Sequence, residues 1–108
     1  MTLSAVLNIA TSGMLAQSTR LSATANNVAN ALTPGYDRAR TSLSSGPTGG
    51  VSAAVAPSGE PTLPGSSNVD MANELVDAME AQTAFEANAS VFETGADMWD
   101  VLIRIKRD

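Results

Sequence analysis

Three observations predict an all-α fold in which two long, heptad-patterned terminal helices form an antiparallel coiled-coil-like hairpin. Apolar positions recur at alternating steps of four and three near both ends of the 108-residue chain. Helix-start and helix-stop residues bracket both runs. The stretch between them is too rich in Pro, Gly and Ser to be helical.

The first element covers residues 1–33. Leu3, Leu7, Ala10, Met14, Gln17, Leu21, Thr24, Val28 and Ala31 keep the heptad step over about four repeats. The helix is expected to end near Thr33, because Pro34 disfavours the α conformation in the residue before it and Gly35 permits a sharp change of direction ahead of Tyr36.

Residues 34–67 form the turn and connector. "SSGPTGGVSAAVAPSGEPTLPGSS" holds four prolines and five glycines. Alternation of Val51, Ala53 and Val55 after "GPTGG" allows a short β-hairpin with Arg38–Leu43; an irregular connector is the other reading. The third element, residues 68–108, carries a second seam through Met71, Leu75, Ala78, Gln82, Phe85, Ala89, Phe92, Ala96, Trp99 and Ile103. Ser67 with Asp70 resembles a capping box, and Arg104, Lys106 and Arg107 suit the negative end of the helix dipole. Each helix is read as roughly 30 residues, ~45 Å long.

The first helix has an unusual back. Asn26 and Asn30 lie opposite Val28, Asn27 flanks the seam, and Arg20 is the only charge before Leu32. A solvated face is ordinarily rich in Lys and Glu, whereas short neutral polar side chains allow close approach without the desolvation cost of an ion. This helix is therefore expected to be enclosed on more than one side, with the three asparagines bonding across subunit boundaries. The second helix shows Asp70, Glu74, Asp77, Glu86, Glu93, Asp97 and Asp100 outside its seam, read as a solvated acidic face rather than a metal site.

Composition excludes most chemistry. The chain has no Cys and no His, which removes thiol, imidazole and nearly all zinc sites. Lys106 is the only lysine, and no serine has a plausible base. "GPTGG" lacks the lysine of a phosphate-binding loop. No catalytic residue, metal ligand, cofactor or small-molecule substrate is expected. A net charge of −5, with the bases scattered, argues against nucleic acid. No apolar run approaches the roughly 20 residues of a membrane span, and the first residues lack the pattern of a cleaved signal peptide. Only four aromatics, Tyr36, Phe85, Phe92 and Trp99, are available to a core, so oligomerisation is the natural source of stability.

"LSATANNVANALTPGYDRAR" resembles the N-terminal signature of the flagellar basal-body rod and hook family, an Ala-Asn-Asn-Ile-Ala-Asn box followed two residues later by Thr-Pro-Gly-Tyr. "SNVDMANELVDAMEAQTAFEANASVF" resembles its C-terminal signature, with the aromatic-Glu-Ala-Asn box at Phe85–Asn88. The chain departs from the pattern at Leu32, Asp37 and Thr83. The resemblance implies a structural subunit whose terminal helices line a tubular polymer, exported by the flagellar export apparatus without cleavage and placed in the periplasmic rod of the basal body. Its partners would be copies of itself and other flagellar rod proteins. The short insert, "LAQSTRL" and "TGGV" resemble a proximal rod subunit of the C type. On this reading the assembly interface comprises Leu7, Met14, Leu21, Val28, Asn26, Asn27, Asn30, Pro34, Gly35, Tyr36, Leu75, Phe85, Asn88, Phe92, Trp99 and Ile103.

Two other classes compete. An enzyme with an acidic site is disfavoured by the lack of any paired base. A soluble helical-hairpin adaptor or export chaperone would bind one partner without polymerising.

Overall fold

A computed structural model describes residues 2–107; Met1 and Asp108, the outermost residues of the two expected helical segments, lie outside the described residues. The order is α1 (Leu3–Ala29), β1 (Ala39–Ser45), β2 (Val51–Pro57) and α2 (Met71–Arg107). The helices run antiparallel along one another, and the hairpin packs on α1. The molecule measures 70 × 25 × 14 Å with a radius of gyration of 18.4 Å, against about 13 Å for a compact domain of this length. So slender a body has almost no interior.

Thr2 caps α1 by accepting from the amide of Ala5 at 3.1 Å. The helix closes at Ala29, short of the expected Thr33. Asn30 turns its amide back on the Asn26 carbonyl at 3.0 Å, and Thr33 donates to Asn30 Oδ1 at 3.1 Å. Local side-chain bonding thus ends the helix before Pro34 can. Gly35, at φ +75, then folds the chain toward Ser66.

The connector is ordered as an antiparallel hairpin in register Ala39↔Pro57 to Ser45↔Val51. Gly49 and Gly50, at φ +97 and +83, close the turn in a conformation costly for other residues. Alternation decides which face is covered: Ala39, Thr41, Val51 and Ala53 are half-buried. Val51 donates its amide to Ser12 Oγ at 3.1 Å, and Gly49 lies over Ile9. α1 is therefore flanked by α2 and, around Ile9 and Ser12, by the hairpin, while Asn8, Ser18, Ser22 and Asn26 of its polar back remain exposed.

Asp70, not Ser67, caps α2, accepting from the amides of Ala72 at 3.0 Å and Asn73 at 3.3 Å. Ser67 instead donates to the Ala31 carbonyl and ties the start of α2 to the end of α1.

The contact between helices is made by small residues. On α1 the buried column is Ala10, Gln17 and Thr24, within the expected seam. On α2 it is Glu74, Ala81 and Gly95, with Asn88 half-buried in the same row, one residue before the expected Leu75, Gln82, Ala89 and Ala96. A Cβ on Gly95 would stand 2.8 Å from Leu7 Cδ2, and one on Gly13 would overlap the Asn88 amide. Backbones this close exclude Phe85, Phe92 and Trp99 from the contact, so the aromatics stand beside it with 41%, 38% and 48% of their surface exposed.

Gly13→Ala gains about 1 kcal/mol of helix propensity but drives a methyl into Asn88. The variant should melt below the parent, and the loss should disappear when Asn88→Ala opens the space. Thermal denaturation of the two single variants and the double variant reads this coupling.

Candidate assembly surfaces and their polar joint

Asn27 stands where α1, β1 and α2 meet, and it is 1% exposed. Its Nδ2 donates to the Ala39 carbonyl at 2.9 Å and to Glu74 Oε1 at 3.1 Å, while its Oδ1 accepts from the Ala39 amide at 2.7 Å and the Tyr36 hydroxyl at 3.0 Å. All four bonding positions of the amide are used inside the chain. The expectation that Asn27 bonds across subunits is thereby corrected. Asn30 likewise serves the end of its own helix, through Asn26 and Thr33, and Asn26 accepts from Asn30 while remaining exposed.

Glu74 is corrected as well, from solvated face to full burial. Arg38 donates from Nε to its Oε1 at 2.9 Å, and Oε2 has no partner. Arg38 also approaches Asp77 at 3.7 Å, while Arg20 donates to Asp77 at 3.1 Å and to Glu80 at 2.7 Å. The hydrogen bond to Glu80, ahead of the Asp77 contacts, raises the Arg20 pKa. Two arginines from the N-terminal half thus draw in acids that the helical wheel alone leaves in water. Asn68 makes a second joint: it accepts from the Arg38 amide at 2.7 Å and donates to Asp37 at 2.8 Å. The Ser58 hydroxyl first, then the Asn68 amide and the Gly59 N–H, hold the Asp37 carboxyl below its ordinary pKa.

The other residues chosen from sequence fall in separate places. Leu7, Met14 and Asn88 lie half-buried along the helix contact, and Tyr36 joins the polar joint. Leu21 and Val28, 45% and 41% exposed, line with Met71, Leu75 and Ala78 an apolar groove of about 660 Å³ between the loop-side ends of the helices. Phe85, Phe92, Trp99 and Ile103 form an outward stripe farther along α2. Pro34 and Gly35 are exposed at the turn. Sequence reasoning missed Glu74, Arg38, Asp37 and Asn68 as partners; Asn68 and Asp70 stand together in "SNVD", but nothing in that spacing names Asp37 or Arg38. Among the described residues no group of His, Cys, Asp or Glu is arranged to hold a metal ion, and no helix is long and apolar enough to cross a membrane.

Asn27→Ala leaves Glu74, Tyr36 and the Ala39 amide short of a partner and should cost about 2–3 kcal/mol, whereas Asn30→Ala should cost under about 1 kcal/mol; urea unfolding separates them. Because the folded Asp37 pKa is lowered, its stabilisation is complete above the ordinary carboxylate value, roughly 4, and is lost as pH falls through the lowered one. Melting temperature should accordingly fall more steeply with acid in the parent than in Asp37→Asn.

Comparison with known proteins adds an independent line. A family model described as flagella basal body rod protein matches residues 7–36, and one described as flagellar basal body rod FlgEFG protein C-terminal matches residues 65–105. The flagellar hook protein FlgE of Brucella suis is 51% identical over 41 residues, 38% of this chain and 10% of that protein. The FlgE hook protein of Rhizobium meliloti is 48% identical over 42 residues, 39% of this chain and 10% of that protein. The match therefore spans about a tenth of the length of these hook proteins.

Proposed function

We propose that this chain, which belongs to the flagellar basal-body rod and hook protein family and is a structural component rather than an enzyme, is a rod subunit that polymerises through its terminal helices into the tubular drive shaft. The observation that carries the reading is unspent surface. The accessible area is 7285 Å², whereas a monomer of this mass ordinarily exposes about 5,600 Å². The excess, roughly 1,700 Å², equals two ordinary interface patches of ~800 Å². Large apolar side chains are among the exposed residues, Leu32 at 93%, Ile105 at 67%, Leu15 and Leu75 at 64%. Exposure on this scale marks surface meant for partners.

Rod rather than hook is favoured by the insert. The helices are joined by a hairpin and loops of about 40 residues, which leave no room between them for a further globular domain. Within the rod, the short insert together with "LAQSTRL" and "TGGV" favours a proximal member of the C type. Export through the flagellar apparatus and a place in the periplasmic stretch of the basal body belong to the same reading, with other rod proteins as neighbours.

Phe92 and Trp99 flank the intramolecular contact and leave 38% and 48% of their surface exposed, so Phe92→Ala and Trp99→Ala should leave the isolated chain folded with a lowered melting temperature while abolishing incorporation into the rod and motility. Truncating an aromatic buried in an interface costs several kcal/mol. Normal incorporation of both variants overturns the reading. An isolated chain that binds one partner at fixed stoichiometry and never enters the basal body would favour the non-polymerising adaptor instead.

A further inference from the structure

Gly95 of α2 lies beside Leu3 and Leu7, so α1 begins there and α2 runs on beyond it. Residues 99–107, about 13 Å of helix, are exposed throughout. Val101, Leu102, Ile103 and Ile105 keep 55%, 53%, 44% and 67% of their surface, and at 100° per residue they span about 200° of the helix perimeter. An apolar face this wide is one that ordinarily packs against another element. At the opposite end of the molecule, the groove between Leu21 and Val28 on one side and Met71 and Leu75 on the other is apolar and open. Glu74 lines it with Oε2 unpartnered.

The two ends also differ in charge. Residues 101–107 carry Arg104, Lys106 and Arg107 and no acid, with Arg104 also paired to Asp100 at 2.9 Å, whereas at the groove end Asp70, Glu74, Asp77 and Glu80 outnumber the two bases that meet them, Arg20 and Arg38. We infer that the C-terminal end of α2 in one copy seats in this groove of the next copy, its apolar side chains against Val28 and Leu75 and its bases toward the acids around Asp70. Ala72, in the groove, and Ile105 are ~50 Å apart along one helix, so no chain fills its own groove. The contact is heterologous and leaves a free groove and a free end on every chain, the condition for open-ended growth. The inference rests on the subunit reading and adds the direction of the axial contact.

The absence of Cys makes the test specific. Full-length chain carrying Ala72→Cys and Ile105→Cys together should give a ladder of disulfide-linked oligomers on mild oxidation at high concentration, while either single variant should give almost no dimer. Ala72→Arg, with the crosslink moved to Leu75→Cys and Ile105→Cys, should lower ladder yield about tenfold, a change of ~1.4 kcal/mol, and Arg104→Glu should restore it. Efficient dimers from Ile105→Cys alone would indicate a two-fold contact and overturn the inference. So would absence of a ladder in a chain that still crosslinks side by side through Phe92→Cys, an outcome that leaves the subunit reading standing. A chain that crosslinks by neither route overturns both.

Discussion

The buried amide of Asn27 is the constraint on which the rest of this structure depends. The helices touch through alanines, glycines and short polar side chains, and such a contact removes little apolar area from water. What sets their axial position is polar geometry. Asn27 has four bonding positions, and the chain supplies a partner for each from three separate elements, so α1, the start of β1 and the start of α2 are held at one point. Glu74 and Arg38 extend that point into a chain of charges reaching Arg20, Asp77 and Glu80. An amide buried this far is costly unless its bonds are made, and Asn27 makes all four in this arrangement, which favours one register.

Placing the polar joint and the small-residue column inside has a consequence for the outside. Large apolar side chains cannot enter a contact in which Gly13 and Gly95 bring the backbones together, so they are displaced to the flanks. Leu21, Val28, Met71 and Leu75 then border a groove, and Phe85, Phe92 and Trp99 border the same contact farther along α2. An isolated globule would place its small residues outside and its aromatics inside. This inversion is expected of a protein whose core is completed by its neighbours, and it agrees with membership of a family that builds flagellar structures. The hairpin contributes by covering α1 around Ile9 and Ser12, while Ser18, Ser22 and Asn26 farther along the helix stay exposed.

Much of this was open to sequence reasoning, and the failures share one cause. Heptad spacing and the Pro-Gly stop are local regularities, and each marks a real feature: two long helices and a turn at Gly35. The scarcity of charge in α1 has a partner within the chain only near Ser12 and Asn27, while Asn8, Ser18, Ser22 and Asn26 stay exposed. The aromatic seam of α2 was misplaced by one residue because hydrophobic periodicity weighs side chains by size, while the packed face here was selected for smallness. Glu74 was assigned to water because an acid on a helical wheel carries no sign of the Arg38 that will meet it across 36 positions of chain. Whether the connector was irregular or a hairpin could not be decided from alternation alone, because its strands gain their cover from Ile9 and Ser12.

By itself, then, the sequence determined what is encoded at short range: helix, turn, helix, the lack of catalytic groups, and the paired signatures that carry the family. Tertiary structure alone decided which face of each helix is inside and which polar groups find each other. Those outcomes depend on how closely two backbones approach and on partners dozens of residues apart. No window along the chain contains either quantity.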